Sequence, residues 1–348
     1  MDTRLYKSSG KKINKQLLYI VVLLFLTYIT FHILLKDINF EELYYIIKRL
    51  DITMCILGLL SIFVFISCEA LVFKTILSIL DEKLSFLQTL KYSIIGFYFS
   101  SITPSASGGQ PMQLYYMKKD SISISRGTLT VFITLITYQI IMIAYASVSI
   151  MLNLPFILGG GPVIYPLIIF GFVANIIVTG FILLSMFSSG LILSLSNPII
   201  RLLYKVRIIK EMEKVQEHTQ NQINQYKEGA LIIRNNPKSI LFILFITFIQ
   251  HTSMYCITYF VYRALGLNGI SMWNILGLQA VAYIASSSIP LPGSVGVSET
   301  ASLLILKNIF PMNLLPSAVL IIRVISFYIM IIITGLFSMV IGYNTTHI

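Results

Sequence analysis

Ser100-Ser101-Ile102-Thr103-Pro104-Ser105-Ala106-Ser107-Gly108-Gly109-Gln110-Pro111 and Ser287-Ser288-Ile289-Pro290-Leu291-Pro292-Gly293-Ser294-Val295-Gly296-Val297-Ser298-Glu299 interrupt sequence that is otherwise continuously hydrophobic. Each stretch opens on Ser-Ser-Ile, reaches proline, then passes through small residues and two glycines. A bilayer leaves no water to satisfy open backbone, so each unpaired amide facing lipid costs several kcal/mol. Such breaks survive where protein buries them or where they line a wet cavity. Paired breaks in the two halves of one chain point to the place where a ligand is bound.

The rest of the chain supports that membrane setting. Of 348 residues, 56% are hydrophobic and 11% charged, against about 25% charged in soluble proteins. The formal net charge of +11 sits on short loops between apolar runs. A cytoplasm-facing bias and attraction to anionic lipid account for it, and no nucleic-acid partner is expected. Arg4, Lys7, Lys11, Lys12 and Lys15 precede Leu17–Leu35. That run is too long for the core of a signal peptide and reads as an uncleaved first span.

Crossing about 30 Å of hydrocarbon takes about 20 helical residues. Six stretches qualify: Leu17–Leu35, Ile52–Leu80, Gly127–Leu152, Val163–Phe187, Ser239–Tyr262 and Leu314–Ile341. The arms flanking each break are too short, so both broken segments are expected to enter the membrane and return to the same side. Segments 1–16, 81–91, 118–126 and 188–238 then face the cytoplasm with 18 Lys and Arg, against 5 on 36–51, 153–162, 263–272 and 307–313. This obeys the positive-inside rule and places both termini in the cytoplasm. It also makes the first hairpin enter from the cytoplasm and the second from outside. The expected fold is an all-α integral membrane protein: about six full transmembrane helices plus two re-entrant broken-helix hairpins, in an inverted-repeat arrangement. One half covers 17–152 with a hairpin at 90–117; the other covers 163–341 with a hairpin at 273–310. Phe40–Leu50 reads as an outer-surface amphipathic helix, and 197–238 as a cytoplasmic amphipathic segment on the inner leaflet.

Each break also creates a helix start. A new helix is expected at Gln110 and Pro111, and Ser298 is placed to cap one beginning at Glu299. A helix start presents unpaired N–H groups and about half a positive charge, and glycines let an anion approach the backbone. The candidate binding residues are therefore Pro104, Ser105, Ser107, Gly108, Gly109 and Gln110 in the first break. In the second they are Pro290, Pro292, Gly293, Ser294, Gly296, Ser298 and Glu299. Glu69 and Arg323 join them as ionisable groups inside spans, where a charge costs at least about 2.5–3.5 kcal/mol and normally faces the bundle interior. The two could pair with one another. Lys74, nearer a span end, is expected to snorkel. Gln139, Asn175, Gln250, His251 and Gln279 read as interhelical hydrogen-bonding groups.

Other chemistries find little support. Cys55, Cys68 and Cys256 lie in apolar runs and His32, His218, His251 and His347 are scattered, so neither a disulfide framework nor a metal site is expected. Without a Walker loop or a Ser-His-Asp set, no catalytic residue, cofactor or ATP coupling is expected.

Thr103–Pro111 followed by Gln113-Leu114-Tyr115-Tyr116-Met117-Lys118-Lys119-Asp120 resembles the first signature of the flippase-like family of the lysylphosphatidylglycerol synthase transmembrane region. Pro290–Glu299 is similar to its second, roughly PxPGGxGxxE, with Ser294 in place of the second glycine. Gln110 stands where many members carry an acid. The resemblance implies a protein that moves or presents a phospholipid or lipid-linked headgroup between leaflets of the cell membrane, with an aminoacylated phosphatidylglycerol among the candidates. A separate lipid synthase is an implied partner. In the full-length synthases a soluble domain transfers lysine to phosphatidylglycerol, a route to cationic antimicrobial peptide resistance. The longest polar stretch here, 188–238, is too short for such a domain, so lysyltransfer by this chain alone is not expected. The alternatives are a secondary transporter of a small anionic solute, and the membrane component of a phosphatidylglycerol lysyltransferase acting with a separate synthase.

Overall fold

The computed structural model describes residues 40–103, 106–159, 161–187, 221, 231–232, 234–289 and 291–346. These residues form helices and no strand. In chain order they are α1 (Phe40–Arg49), α2 (Ile52–Ile79), α3 (Phe86–Ile102), α4 (Gly109–Lys119), α5 (Ile124–Leu158) and α6 (Ile164–Phe187). After the polar stretch come α7 (Pro237–Ala264), α8 (Met272–Ser287), α9 (Val297–Leu306), α10 (Leu315–Arg323) and α11 (Met330–Thr346). A π-helical turn over Val324–Ile329 joins the last two into one rod. Five of these helices are long and apolar enough to cross a membrane, the α10–α11 rod counted as one. The chain is an all-α, multi-pass membrane protein. Leu17–Leu35 and most of 197–238 lie outside the described residues.

Local chemistry sets the helix ends. Asp51 opens α2, its Oδ1 accepting from the amides of Thr53 and Met54 at 2.8 and 3.4 Å. Ser85 and Gln88 form a reciprocal cap at the start of α3, which satisfies two orphan donors of that first turn. In α5, Asn153 leaves helical geometry and Pro155 follows it. Proline cannot donate to the ladder and crowds the preceding turn, so the helix kinks there. The sequence-expected span ended at Leu152, one residue before this kink.

The long helices α2 and α7 run antiparallel. Ile62, Phe65 and Ile66 share a buried cluster with Ile257 and Val261, while Cys68, Val72 and Ile76 pack with Ile243 and Ile246. At one end the Asp51 amide donates to the Ala264 carbonyl at 3.0 Å. Lipid tails are as apolar as these side chains, so packing rather than water exclusion holds the pair together.

The two broken segments sit at opposite ends of this pair. Lys91 and Tyr92, near the start of α3, both bind the Asp120 carboxylate at the end of α4. The open end of the first hairpin therefore closes beside the C-terminal end of α2, where Phe73 and Leu77 pack on Tyr92, Tyr116 and Met117. In the second hairpin the Ile270 amide, just before α8, donates to Tyr262 Oη at 3.2 Å. Phe310, just after α9, packs edge-on against the same Tyr262 ring. That end lies beside Ala264 and hence the N-terminus of α2. Two hairpins opening at opposite ends reach inward, and among the described residues their tips meet at Ile102 and Val295, with Phe327 of the π-helical turn packed against both.

The arms are short. At 1.5 Å per residue, α3 and α8 extend only ~25 and ~24 Å. The bundle shields them: Ile275, Leu276, Leu278, Val281 and Ile284 of α8 are all fully buried. Gly171 of α6 and Gly277 of α8 make room, since a Cβ at either would strike the neighbouring helix. By contrast α6 exposes Ile169, Phe170, Val173, Ile177 and Phe181, the apolar surface of a helix in contact with lipid.

A polar cavity between the hairpin tips as candidate functional site

Thr103 closes the first tip. Its hydroxyl donates to the Phe99 carbonyl at 2.6 Å and accepts from the Gly108 amide at 2.8 Å. Helix α4 then starts at Gly109 with Gly108 as its cap residue, one residue earlier than the sequence suggested. Pro111 occupies the third helical position, where its missing N–H is still one of the four that lack a partner. A Cβ on Gly109 would strike Ser100 Oγ and the Gly96 carbonyl. Its smallness therefore serves the close approach of α3 and α4. Gly96 does the same for Gln113: with no side chain at 96, the carboxamide passes through and Nε2 donates to Glu69 Oε1 on α2 at 3.0 Å.

The second tip is a tight turn over Pro292–Ser294. Gly293, Ser294 and Gly296 take φ of +58°, +50° and +89°, the left-handed region that L side chains disfavour. Helix α9 begins at Val297 with Gly296, not Ser298, as the cap residue. A serine cap was the natural reading of the sequence, but the left-handed Gly296 turns the chain first. Glu299, at the third helical position, binds back: Oε2 accepts from the Gly296 amide at 2.7 Å and Oε1 from Arg323 Nε at 2.7 Å. Arg323 also donates to the Gly293 carbonyl and lies over the Phe327 ring, 4.3 Å from its centroid. The π-helical turn that begins directly after Arg323 carries Phe327; a Cβ on Gly293 would collide with that ring. Arg323 and Glu69 thus have separate partners, and the direct pair open from sequence does not form. The anion favoured at a helix start is supplied at α9 by the chain's own Glu299.

Between the tips lies a cavity of about 510 Å³, within the ~300–1,000 Å³ typical of ligand sites. Of the residues singled out from sequence, Glu69, Gln110, Gly293, Ser294, Ser298, Glu299 and Arg323 line it. Gly108, Gly109, Pro292, Gly296 and Ser107 do not. Pro104, Ser105 and Pro290 lie outside the described residues. Gln139, Asn175, Gln250 and Gln279 also reach the cavity, whereas His251 is buried behind its wall. Asn175 and Gln279 are hydrogen-bonded across helices as expected, Asn175 to Ser287 at 3.0 Å and Gln279 to Thr258 at 2.9 Å. Lys74 is exposed on the outer face of α2.

Sequence reasoning missed Gln113, Tyr138, Tyr255 and Tyr283. Gln113 had a signal: it stands three residues after Gln110, on the same face of a short helix. The tyrosines had none, because tyrosine is also common at membrane interfaces. Two carboxylates, Glu69 and Glu299, face one guanidinium, Arg323, in the lining. Among the described residues Glu69 has the neutral Gln113 amide as its hydrogen-bond partner and no direct ion pair.

Comparison with known proteins agrees with a membrane protein. The chain is 25% identical over 330 residues to a UPF0104 membrane protein of Pyrococcus horikoshii, covering 91% of this chain and 95% of the relative. It is also 25% identical over 301 residues to a UPF0104 membrane protein of Archaeoglobus fulgidus, covering 85% and 89%. The family model for the lysylphosphatidylglycerol synthase TM region matches residues 16–334, and the chain belongs to that family.

Proposed function

We propose that this protein moves or presents a phospholipid or lipid-linked headgroup between the leaflets of the cell membrane. The observation that carries the reading is a cavity with polar groups in its lining, contributed from both hairpins, at the point where their tips meet between apolar helices. A headgroup lodges there while its acyl chains stay in lipid. The hairpins act as re-entrant elements entering from opposite faces, with the termini in the cytoplasm. Two inverted halves, 17–152 and 163–341, rock about the shared cavity, exposing it first to one leaflet and then to the other. The binding groups are the cavity-lining set, with Glu69 and Arg323 as its charged poles. An aminoacylated phosphatidylglycerol made by a separate synthase is one substrate consistent with the family name.

The test is translocation in liposomes. Purified protein is reconstituted with fluorescently labelled lipids, and a membrane-impermeant quencher reports the pool reaching the outer leaflet. Protein-dependent growth of that pool is expected for at least one headgroup. Absence of movement for every anionic, polyol and aminoacylated lipid, with and without a pH gradient, rejects the proposal. Uptake of a small anion without lipid movement would replace it with the solute-transporter reading.

A further inference from the structure

We propose that the cavity wall formed by α5, α7 and α8 is a polyol subsite, taking the hydroxyl-bearing part of a lipid headgroup. The inference rests on the reading that a headgroup enters this cavity. Tyr255 lines the wall, is 1% exposed, and among the described residues its hydroxyl has no hydrogen-bond partner. Gln139, also in the lining, leaves Oε1 without one. Nearly all buried polar atoms in folded proteins are paired; both atoms are closed to water here, so a ligand's polar atoms reach them when the two side chains turn toward the cavity that they line.

Their chemistry selects the ligand. Gln139 Oε1 can only accept, so the group facing it must donate, and a phosphate oxygen cannot. Tyr255 Oη both donates and accepts. Behind them His251 Nδ1 meets the Thr247 carbonyl at 3.0 Å, which fixes the hydrogen on Nδ1 and leaves Nε2, also unpartnered, as an acceptor. Tyr138 and Tyr283 complete the wall, their hydroxyls paired with each other at 2.7 Å. Gln279 is already engaged by Thr258. Among the described residues no charged side chain belongs to this wall; Glu69, Glu299 and Arg323 are contributed by α2, α9 and α10. An uncharged wall of carboxamides and hydroxyls suits a neutral group that donates and accepts together. Vicinal hydroxyls of a glycerol or glycosyl headgroup meet the requirement.

Native mass spectrometry of the detergent-purified full chain tests this with three lipids of equal acyl chains: phosphatidylglycerol, a glucosyl diacylglycerol and phosphatidic acid. At least one of the first two should be retained about tenfold more than phosphatidic acid, the size of one or two hydrogen bonds to otherwise unpaired groups. The two polyol arms tell glycerol from sugar. Tyr255→Phe and Gln139→Leu should each erase the preference. Tyr255→Phe should also leave the melting temperature unchanged or raised, because the hydroxyl it removes is buried and unpaired. Equal retention of all three lipids by the wild type, as when only water fills the wall, overturns the proposal. So does a preference that survives both substitutions. Preference without translocation in liposomes supports the subsite while rejecting transport; translocation with no headgroup preference rejects the subsite alone.

Discussion

Arg323 shows how one side chain is fixed by several neighbours. It binds Glu299, reaches the Gly293 carbonyl and stacks on Phe327, tying α9, the second tip and the π-helical turn together. Glu299 is 2% exposed, so removing the guanidinium leaves a buried carboxylate without a cation. Arg323→Met is expected to destabilise the protein by about 3–5 kcal/mol, seen as a lower thermal midpoint in detergent. Glu299→Gln combined with Arg323→Met should cost less than the two single changes summed; additive losses would show that the pair is not coupled. Ser294 offers the opposite case. Its φ of +50° is strained for any residue with a Cβ, and it stands where the family signature carries glycine. Ser294→Gly should stabilise by about 1 kcal/mol, whereas Ser294→Ala, which keeps the Cβ, should not. Equal midpoints for the two variants would mean that the turn relaxes without strain.

At the level of elements, the sequence revealed what depends on composition along the chain and hid what depends on crossing geometry. The apolar runs and the two breaks could be read directly, because a bilayer tolerates neither charge nor open backbone. Glu69 and Arg323 stood out for the same reason. That Arg323 turns to Glu299, and Glu69 to Gln113, follows from how α9 and α4 lie against α10 and α2, which no local pattern encodes. Nor did the glycines announce whether they serve a ligand or a neighbouring helix. Gly96 and Gly109 serve the packing of α3 on α4, and the two obstacles differ in kind. A Cβ at Gly96 has Gln113 side-chain atoms as its three nearest neighbours, while one at Gly109 meets the backbone carbonyl of Gly96 as well as Ser100. Overpacking of this kind typically costs about 1–3 kcal/mol. Gly96→Ala should therefore be rescued by Gln113→Ala, and Gly109→Ala should not be rescued by Ser100→Ala. Thermal midpoints of the four variants and their pairs check this. Rescue of both, or of neither, would mean that the hairpin does not pack through these glycines.

For the whole molecule, the arrangement of the hairpins constrains how any headgroup could pass. Each is anchored at its open end, one through Asp120 to Lys91 and Tyr92, the other through Tyr262 to Ile270 and Phe310. Among the described residues the tips touch in a small apolar cluster, Ile102 and Val295 with Phe327 of the π-helical turn, edged by Tyr98, Phe99, Tyr328 and Ile331. Separating so few buried groups is easy compared with disrupting the α2–α7 interface, which is lined with buried side chains along its length. Movement of one half against the other should therefore begin at the tips. Cysteines placed by Ile102→Cys and Val295→Cys, with Cys55, Cys68 and Cys256 replaced, give a direct test. Oxidation should join the tips and stop lipid translocation in liposomes, and reduction should restore it. Undiminished translocation with the tips demonstrably bonded would mean that headgroups pass along the outside of the bundle, and that the cavity binds lipid without conducting it.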